Sequence, residues 1–131
     1  MIAVRRAGVL FLSAGVLFTG CRQQRAAHPP ADIAWTLLPA TPTAGPAVLT
    51  VTLRRPDGNA VGGARVRVEA HMSHPGMAPV VADAVERSPG VYEASFAFTM
   101  AGSWGLVVSA SLPDGTTLQR RIDVPDVRPV Q

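Results

Sequence analysis

The fold class is decided by Leu49-Thr50-Val51-Thr52-Leu53, a segment that leads into the turn Pro56-Asp57-Gly58-Asn59. Apolar and polar residues alternate strictly across the segment, with the two-residue period of a β-strand that buries one face. Proline, aspartate, glycine and asparagine are the residues that tight turns favour. The segment therefore predicts a strand over 46–55 that turns back at residue 56.

The same alternation recurs outward from this strand in both directions, and glycine and proline turns separate the repeats. The next strand turns Val66, Val68 and Ala70 toward one face and charged residues toward the other. We predict six further strands, over 33–38, 64–71, 80–85, 91–98, 104–112 and 116–124. Seven short strands of this kind are typical of an all-β, immunoglobulin-like β-sandwich. The single cysteine means that no internal disulfide supports it.

The first twenty residues are typical of a secretion signal. Arg5 and Arg6 form its basic beginning, and an uncharged, mostly apolar run over 7–20 follows them. This run is shorter than the roughly 20 apolar residues that a membrane-spanning helix needs, with an uncleaved anchor as the alternative. We expect export from the cytoplasm and removal of residues 1–20.

The apolar run ends in Leu17-Phe18-Thr19-Gly20-Cys21, which resembles the lipobox of bacterial lipoproteins. In that family the cysteine carries the lipid and becomes the first residue of the mature protein. The resemblance implies that a lipid on Cys21 anchors the protein to a membrane, in the periplasm or on the outer cell surface. Ordinary cleavage that leaves a free thiol is the alternative. The chain then divides into a lipoprotein signal peptide (1–20), a tether (21–31), the sandwich (32–125) and a flexible tail (126–131).

The charge and the residue types of the chain argue against nucleic-acid binding and against several kinds of catalysis. Removal of the signal lowers the formal net charge from +3 to +1, and the remaining charges form no basic block, so we expect no nucleic-acid partner. The chain contains no lysine, which excludes a Walker A phosphate loop and a Schiff-base lysine. Ser73, Ser88, His71 and Asp83 supply the residue types of a hydrolytic triad without a nucleophile-elbow motif, so we expect no enzyme.

Several motifs from Gly62 onward resemble the YtkA-like family of small extracytoplasmic domains. They are Gly63-Ala64-Arg65-Val66, a Met/His/Pro/Gly loop, Ser88-Pro89-Gly90-Val91-Tyr92 and Phe98-Thr99-Met100-Ala101-Gly102-Ser103-Trp104. The resemblance implies an immunoglobulin-like sandwich outside the cytoplasm, and several family members occur beside copper-handling or oxidase-assembly proteins. The family loop reads methionine-proline and then methionine-any-histidine, an order that the segment over 72–77 shuffles.

The loop over 70–79 is the candidate binding segment, because it holds two of the three histidines and two of the four methionines. If successive strands alternate in direction, the connection over 99–103 lies at the same end of the sandwich as this loop. Imidazole and thioether donors without carboxylate or thiolate favour Cu(I) over zinc or calcium. The candidate copper ligands are His71, Met72, His74, Met77 and Met100, with Trp104 close enough to make a cation–π contact.

Three other interpretations remain open. Met72, Met100 and Trp104 share the parity of core residues on their strands, so they could simply pack the end of the sandwich. The side chains for a zinc site would be His71, His74, Asp83 and Glu86. The domain could also be a structural or protein-interaction module of the cell envelope that presents a loop or a sheet edge and binds no metal.

Overall fold

The computed structural model describes residues 29–131, which fold into β-strands without a helix. The strands are β1 (Asp32–Leu38), β2 (Gly45–Arg54), β3 (Arg65–Met72), β4 (Val80–Asp83), β5 (Val85–Ser88), β6 (Val91–Phe98), β7 (Gly102–Ser111) and β8 (Thr117–Val127). Among these residues there is accordingly no helix of the length and apolarity needed to cross a membrane. The predicted signal peptide and Cys21 lie outside the described residues, so the lipid anchor stays a prediction.

The strands form two four-stranded sheets, in the orders β1-β2-β6-β5 and β4-β3-β7-β8. Neighbouring strands run antiparallel in both sheets. In immunoglobulin notation the first sheet has the order A-B-E-D and the second has the order C-F-G, with β4 added beside β3. The prediction of an all-β, immunoglobulin-like β-sandwich is confirmed.

The core lies between the two sheets, where the alternation that the sequence predicts is confirmed. Val51 of β2 pairs with Tyr92 of β6, Val68 of β3 pairs with Val108 of β7, and all four side chains are buried. Within residues 29–131 no charged side chain is buried. Burial of apolar side chains therefore holds the sheets together.

The strand count differs from the predicted seven, because the run over 80–85 is divided between the two sheets. Asp83 pairs with β3, whereas Val85 pairs with β6. Ala84 lies between them, and its N–H donates a hydrogen bond to the Val66 carbonyl (2.9 Å). The pieces on either side of Ala84 are too short for their periodicity to reveal that the chain changes sheets.

The last strand also runs past the predicted end of the sandwich at residue 125. Val127 is buried and pairs with Gly102 at the start of β7. The Arg128 N–H donates to the Pro42 carbonyl (3.0 Å), and the Arg128 carbonyl accepts from the Ala44 N–H (2.8 Å). The ordered strand therefore extends beyond the boundary predicted at residue 126, because the partners of these groups come from a loop far away in the sequence.

One side of the sandwich, here called the closed side, consists of β4, β5 and the segment over 60–64 that packs beside them. The Tyr92 hydroxyl donates to the Val61 carbonyl (2.7 Å) and accepts from the Ala64 N–H (3.0 Å). A Glu86 carboxylate oxygen accepts a third hydrogen bond from the same segment (2.9 Å). These bonds tie the segment to the sheet that contains β5 and β6.

The opposite side, here called the open side, lies between β1 and β8, which are the free edge strands of the two sheets. Among the described residues no ladder joins these two strands along their length. An isolated bridge between Thr43 and Arg128 connects the loop after β1 to the residue that follows β8. The two sheets are therefore joined on the open side only beyond the last residues of β1 and β8, and these two strands are not paired along their length.

Candidate functional site

The end of β3 and the beginning of β7 bring the two predicted binding loops together. Met72 pairs with Trp104 in the antiparallel register. Beyond that pair, the Ser103 carbonyl accepts hydrogen bonds from both the backbone N–H and the hydroxyl of Ser73 (3.0 Å each). The loops over 73–79 and 99–101 thus begin side by side, and we call this end of the sandwich the rim. The predicted proximity of the two loops is confirmed.

Trp104 belongs to the core rather than to an exposed site. Its side chain is 3% exposed, and its ring lies edge-on to Phe98 with a centroid separation of 5.4 Å. The indole N–H donates to the Met100 carbonyl (3.0 Å), and this bond attaches the loop over 99–101 to the first residues of β7. The expected cation–π contact with a bound ion is not available to a ring buried in this way.

Met72 is also a packing residue. Its side chain is partly buried against the core cluster, on the same face of β3 as Ala70. A Cβ on Gly102, where φ is +134°, would lie 2.9 Å from the Met72 methyl carbon. The missing side chain at residue 102 thus makes room for the thioether. The packing interpretation of Met72 is confirmed.

His71 lies on the other face of β3, because successive side chains of a strand point to opposite faces. It is exposed, and its Nε2 atom lies 3.3 Å from a carboxylate oxygen of Glu69. His71 and Met72 therefore point to opposite faces of β3 in this structure. The five-residue ligand set stays a prediction, and the structure does not bring these two side chains to a common side.

The remaining three candidates stay exposed at the rim. His74 and Met77 belong to the loop over 73–79, where Met77 is 42% exposed and Gly76 reverses the chain with φ of +83°. Met100 belongs to the neighbouring loop and is 41% exposed. Two thioethers and one imidazole thus lie at one end of the sandwich without a role in its core.

The zinc alternative has no matching geometry in the part of the chain that the structure describes, since no group of three histidine, cysteine or acidic side chains converges there. Asp83 instead accepts a hydrogen bond from the Arg67 guanidinium (2.8 Å), which lowers the pKa of this carboxyl below its ordinary value. Glu86 is bound to the Gly63 N–H on the closed side. The residue types of the triad are scattered in the same way, because the Ser73 hydroxyl donates to a backbone carbonyl rather than to a histidine.

An exposed aromatic side chain that the sequence did not predict lies on the open side. Trp35 pairs with the buried Val51, so its parity directs it toward the interior, yet it is 42% exposed. It lines a cavity of about 540 Å³ between β1 and the Val124–Pro125 part of β8. The tryptophan in the first strand was the available signal, but the sequence does not reveal that β1 and β8 are free edges on the same side.

These features define a class: a small immunoglobulin-like sandwich with an exposed Met/His rim and one open side. A YtkA-like family model matches residues 28–109, which is more than half of the chain. The chain belongs to the YtkA-like family, and the resemblance that the motifs indicated is confirmed.

The solved structures include a similar fold in a DUF4426 family protein from Pseudomonas aeruginosa PAO1. The two chains share 11% sequence identity and superpose with a TM-score of 0.58, over 79% of this chain and 96% of the other. A likeness at this identity supports the fold alone. No curated protein matches the chain at a significant level.

Proposed function

We propose that this chain is a non-catalytic binding domain, held outside the cytoplasm by a lipid on Cys21, which binds Cu(I) at the rim for copper handling. The observation that supports the proposal is the exposure of His74, Met77 and Met100 on two adjoining loops. None of these three side chains belongs to the core cluster. Membership in a family of extracytoplasmic domains supports the proposed location.

The chemistry of the three donors matches a soft, monovalent metal ion. Thioethers are weak ligands for zinc and calcium, whereas Cu(I) accepts thioether and imidazole donors together. Trp104 takes no part as a ligand, but its hydrogen bond to the Met100 carbonyl (3.0 Å) holds the second loop against the start of β7. A turn at Gly76, where φ is +83°, separates His74 from Met77 in the first loop.

The test is a Cu(I) titration of the soluble form that begins at residue 22, in competition with a chromogenic chelator. We expect Met77→Leu and Met100→Leu each to weaken binding about tenfold or more, because leucine keeps the volume and removes the thioether. The matched controls are Met72→Leu and His71→Ala, which should leave the affinity unchanged. Wild-type binding weaker than micromolar, or dependence on the control residues instead, would contradict the copper proposal.

The anchor is tested separately, since it does not depend on the metal. Palmitate labelling of the full chain expressed in bacteria should tag the wild type and fail to tag Cys21→Ser. Equal labelling, or no labelling of either protein, would contradict the anchor.

A second candidate function is protein interaction in the cell envelope without a metal. The open side supports it, because Trp35 faces the gap between β1 and β8, lines the cavity there and is 42% exposed. An apolar cavity beside an unpaired strand edge is a surface that a partner could cover.

A further inference from the structure

The free edge of β1 lacks the protection that the other edges carry. Of the four edge strands in residues 29–131, β4 and β5 are four residues long and include charged side chains. β8 carries several charges and has Pro125, which has no N–H to offer to a neighbouring strand. From Ile33 to Leu38, β1 has neither a charge nor a proline. Natural edges of this kind pair with another strand unless something blocks them.

The exposed tryptophan lies at the middle of this unprotected edge. β1 runs from Asp32 to Leu38, so Trp35 is its central residue. A two-fold axis through the centre of a strand pairs that strand antiparallel with its own copy. Each Trp35 would then lie opposite the other, and Ile33 would lie opposite Leu37. Asp32, the one charged residue of the strand, would lie opposite Leu38, so no two like charges meet across the pair.

The charges of β8 do not oppose this arrangement. Arg121 lies 3.0 Å from Asp123, and Arg128 lies 3.7 Å from Asp126, so both carboxylates of this strand are paired within the chain. Because β8 borders the same cavity as β1, two copies that meet at the open side would present paired rather than like charges to each other.

From these observations we infer that the open side is a homodimer interface, in which β1 of one molecule pairs antiparallel with β1 of a second copy around Trp35. The dimer joins the two β1-β2-β6-β5 sheets into one continuous sheet of eight strands. The two indoles cover each other above the cavities that border β1 and β8. This inference rests on the second proposed function, protein interaction, and names a second copy of this chain as the partner. It does not depend on metal binding at the rim.

The experiment uses the form that begins at residue 22, which contains all of the core between Ala31 and Val127. Sedimentation equilibrium over the micromolar to millimolar range should give a monomer–dimer equilibrium for the wild type. Trp35→Ala should weaken the dimer about tenfold or more, because a central aromatic residue dominates an interface of this kind. Val81→Ala is the matched control, since Val81 is similarly exposed (51%) but lies on the closed side.

Disulfide cross-linking tests the register. This form lacks Cys21, the only cysteine of the chain, so Ala34→Cys and Thr36→Cys each introduce a single thiol and keep Trp35. In the proposed register residue 34 of one copy lies opposite residue 36 of the other, with Cβ atoms about 4.5–5.5 Å apart, so oxidation of an equal mixture of the two variants should link one to the other. A mixture of Ala34→Cys and Leu38→Cys is the control, because residues 34 and 38 do not lie opposite each other.

Three results would overturn the inference. They are a wild type that stays monomeric over the whole range, a dimer that Trp35→Ala leaves intact in a folded protein, and equal cross-linking in the 34/36 and 34/38 mixtures. Circular dichroism of each variant shows whether it is folded. A monomer that instead binds an unrelated extended peptide along β1 would also overturn it, and would leave the copper titration unaffected.

Discussion

The closed and open sides of this sandwich bury apolar surface by different means. On the closed side the chain itself passes from one sheet to the other at Ala84, and the segment over 60–64 is bound by the Tyr92 hydroxyl and by Glu86. On the open side β1 and β8 are joined by an isolated bridge after their ends. An inward-facing tryptophan remains 42% exposed there.

The difference shows how a small domain of two sheets distributes its stability and its contacts. Where the backbone crosses between sheets, polar groups find partners within the chain, and each side chain has fixed neighbours that a substitution disturbs. Where two strands simply end the sheets, their unpaired edges and apolar side chains stay available to a second molecule. We expect substitutions on the closed side to reduce stability and substitutions on the open side to reduce association.

The largest expected contrast is between the two tryptophans of the chain. Trp104→Ala removes a ring that is 3% exposed, and it should lower the free energy of unfolding by about 3–5 kcal/mol. Trp35→Ala should lower it by about 1–2 kcal/mol, because the indole already contacts water in the folded monomer. Urea unfolding at a low protein concentration, where the chain is monomeric, measures both. Equal losses would contradict the distinction between the buried and the open tryptophan.

The second contrast compares two glycines with similar backbone conformations. At Gly90, where φ is +79°, a Cβ would lie 2.9 Å from both the Leu53 carbonyl oxygen and the Ala60 Cβ. Gly90→Ala should therefore cost about 2–4 kcal/mol of stability, from backbone strain and overpacking together. At Gly58 φ is +87° and a Cβ meets nothing within 4 Å, so Gly58→Ala should cost only about 1 kcal/mol. Thermal unfolding of both variants checks the difference, and a larger loss at Gly58 would contradict the crowding at Gly90.

The third and smallest effect is the pH dependence of the closed side. Burial raises the pKa of the Tyr92 phenol above its ordinary value of 10.0, while the hydrogen bond from the Ala64 N–H opposes the rise. The folded state therefore holds this proton more tightly than the unfolded state does. Its contribution to stability is complete below pH 10 and is lost as the pH rises through the folded-state pKa.

The measurement is urea unfolding of the wild type and of Tyr92→Phe between neutral and alkaline pH. Near neutral pH, Tyr92→Phe should be about 1–3 kcal/mol less stable, since the Val61 carbonyl and the Ala64 N–H lose a partner. Above pH 10 the difference should shrink, because only the wild type loses the phenol's contribution. Tyr92 is the only tyrosine of the chain, so its phenolate absorbance follows the titration directly. A difference that stays constant with pH would contradict this assignment.

The candidate site could be predicted from the sequence only in part. The alternation of strand directions was enough to bring the loops over 73–79 and 99–101 to one end, and the structure confirms it. It was not enough to choose ligands, because the predicted strand ended at residue 71, whereas β3 continues through Met72. Adjacent residues of a strand point to opposite faces, so His71 faces solvent and Met72 packs against Gly102.

The sequence by itself determined most of the strands, the faces they bury and the family, because a period of two and the turn residues are local properties. Tertiary structure decided which strands became edges, where the chain changes sheets and which inward-facing residue remained exposed. Ala84 lies within a mostly apolar run and Trp35 follows the alternation of β1, so their positions in the pattern do not set them apart. Their roles depend on strands that lie far away along the chain, so local periodicity carries no information about them.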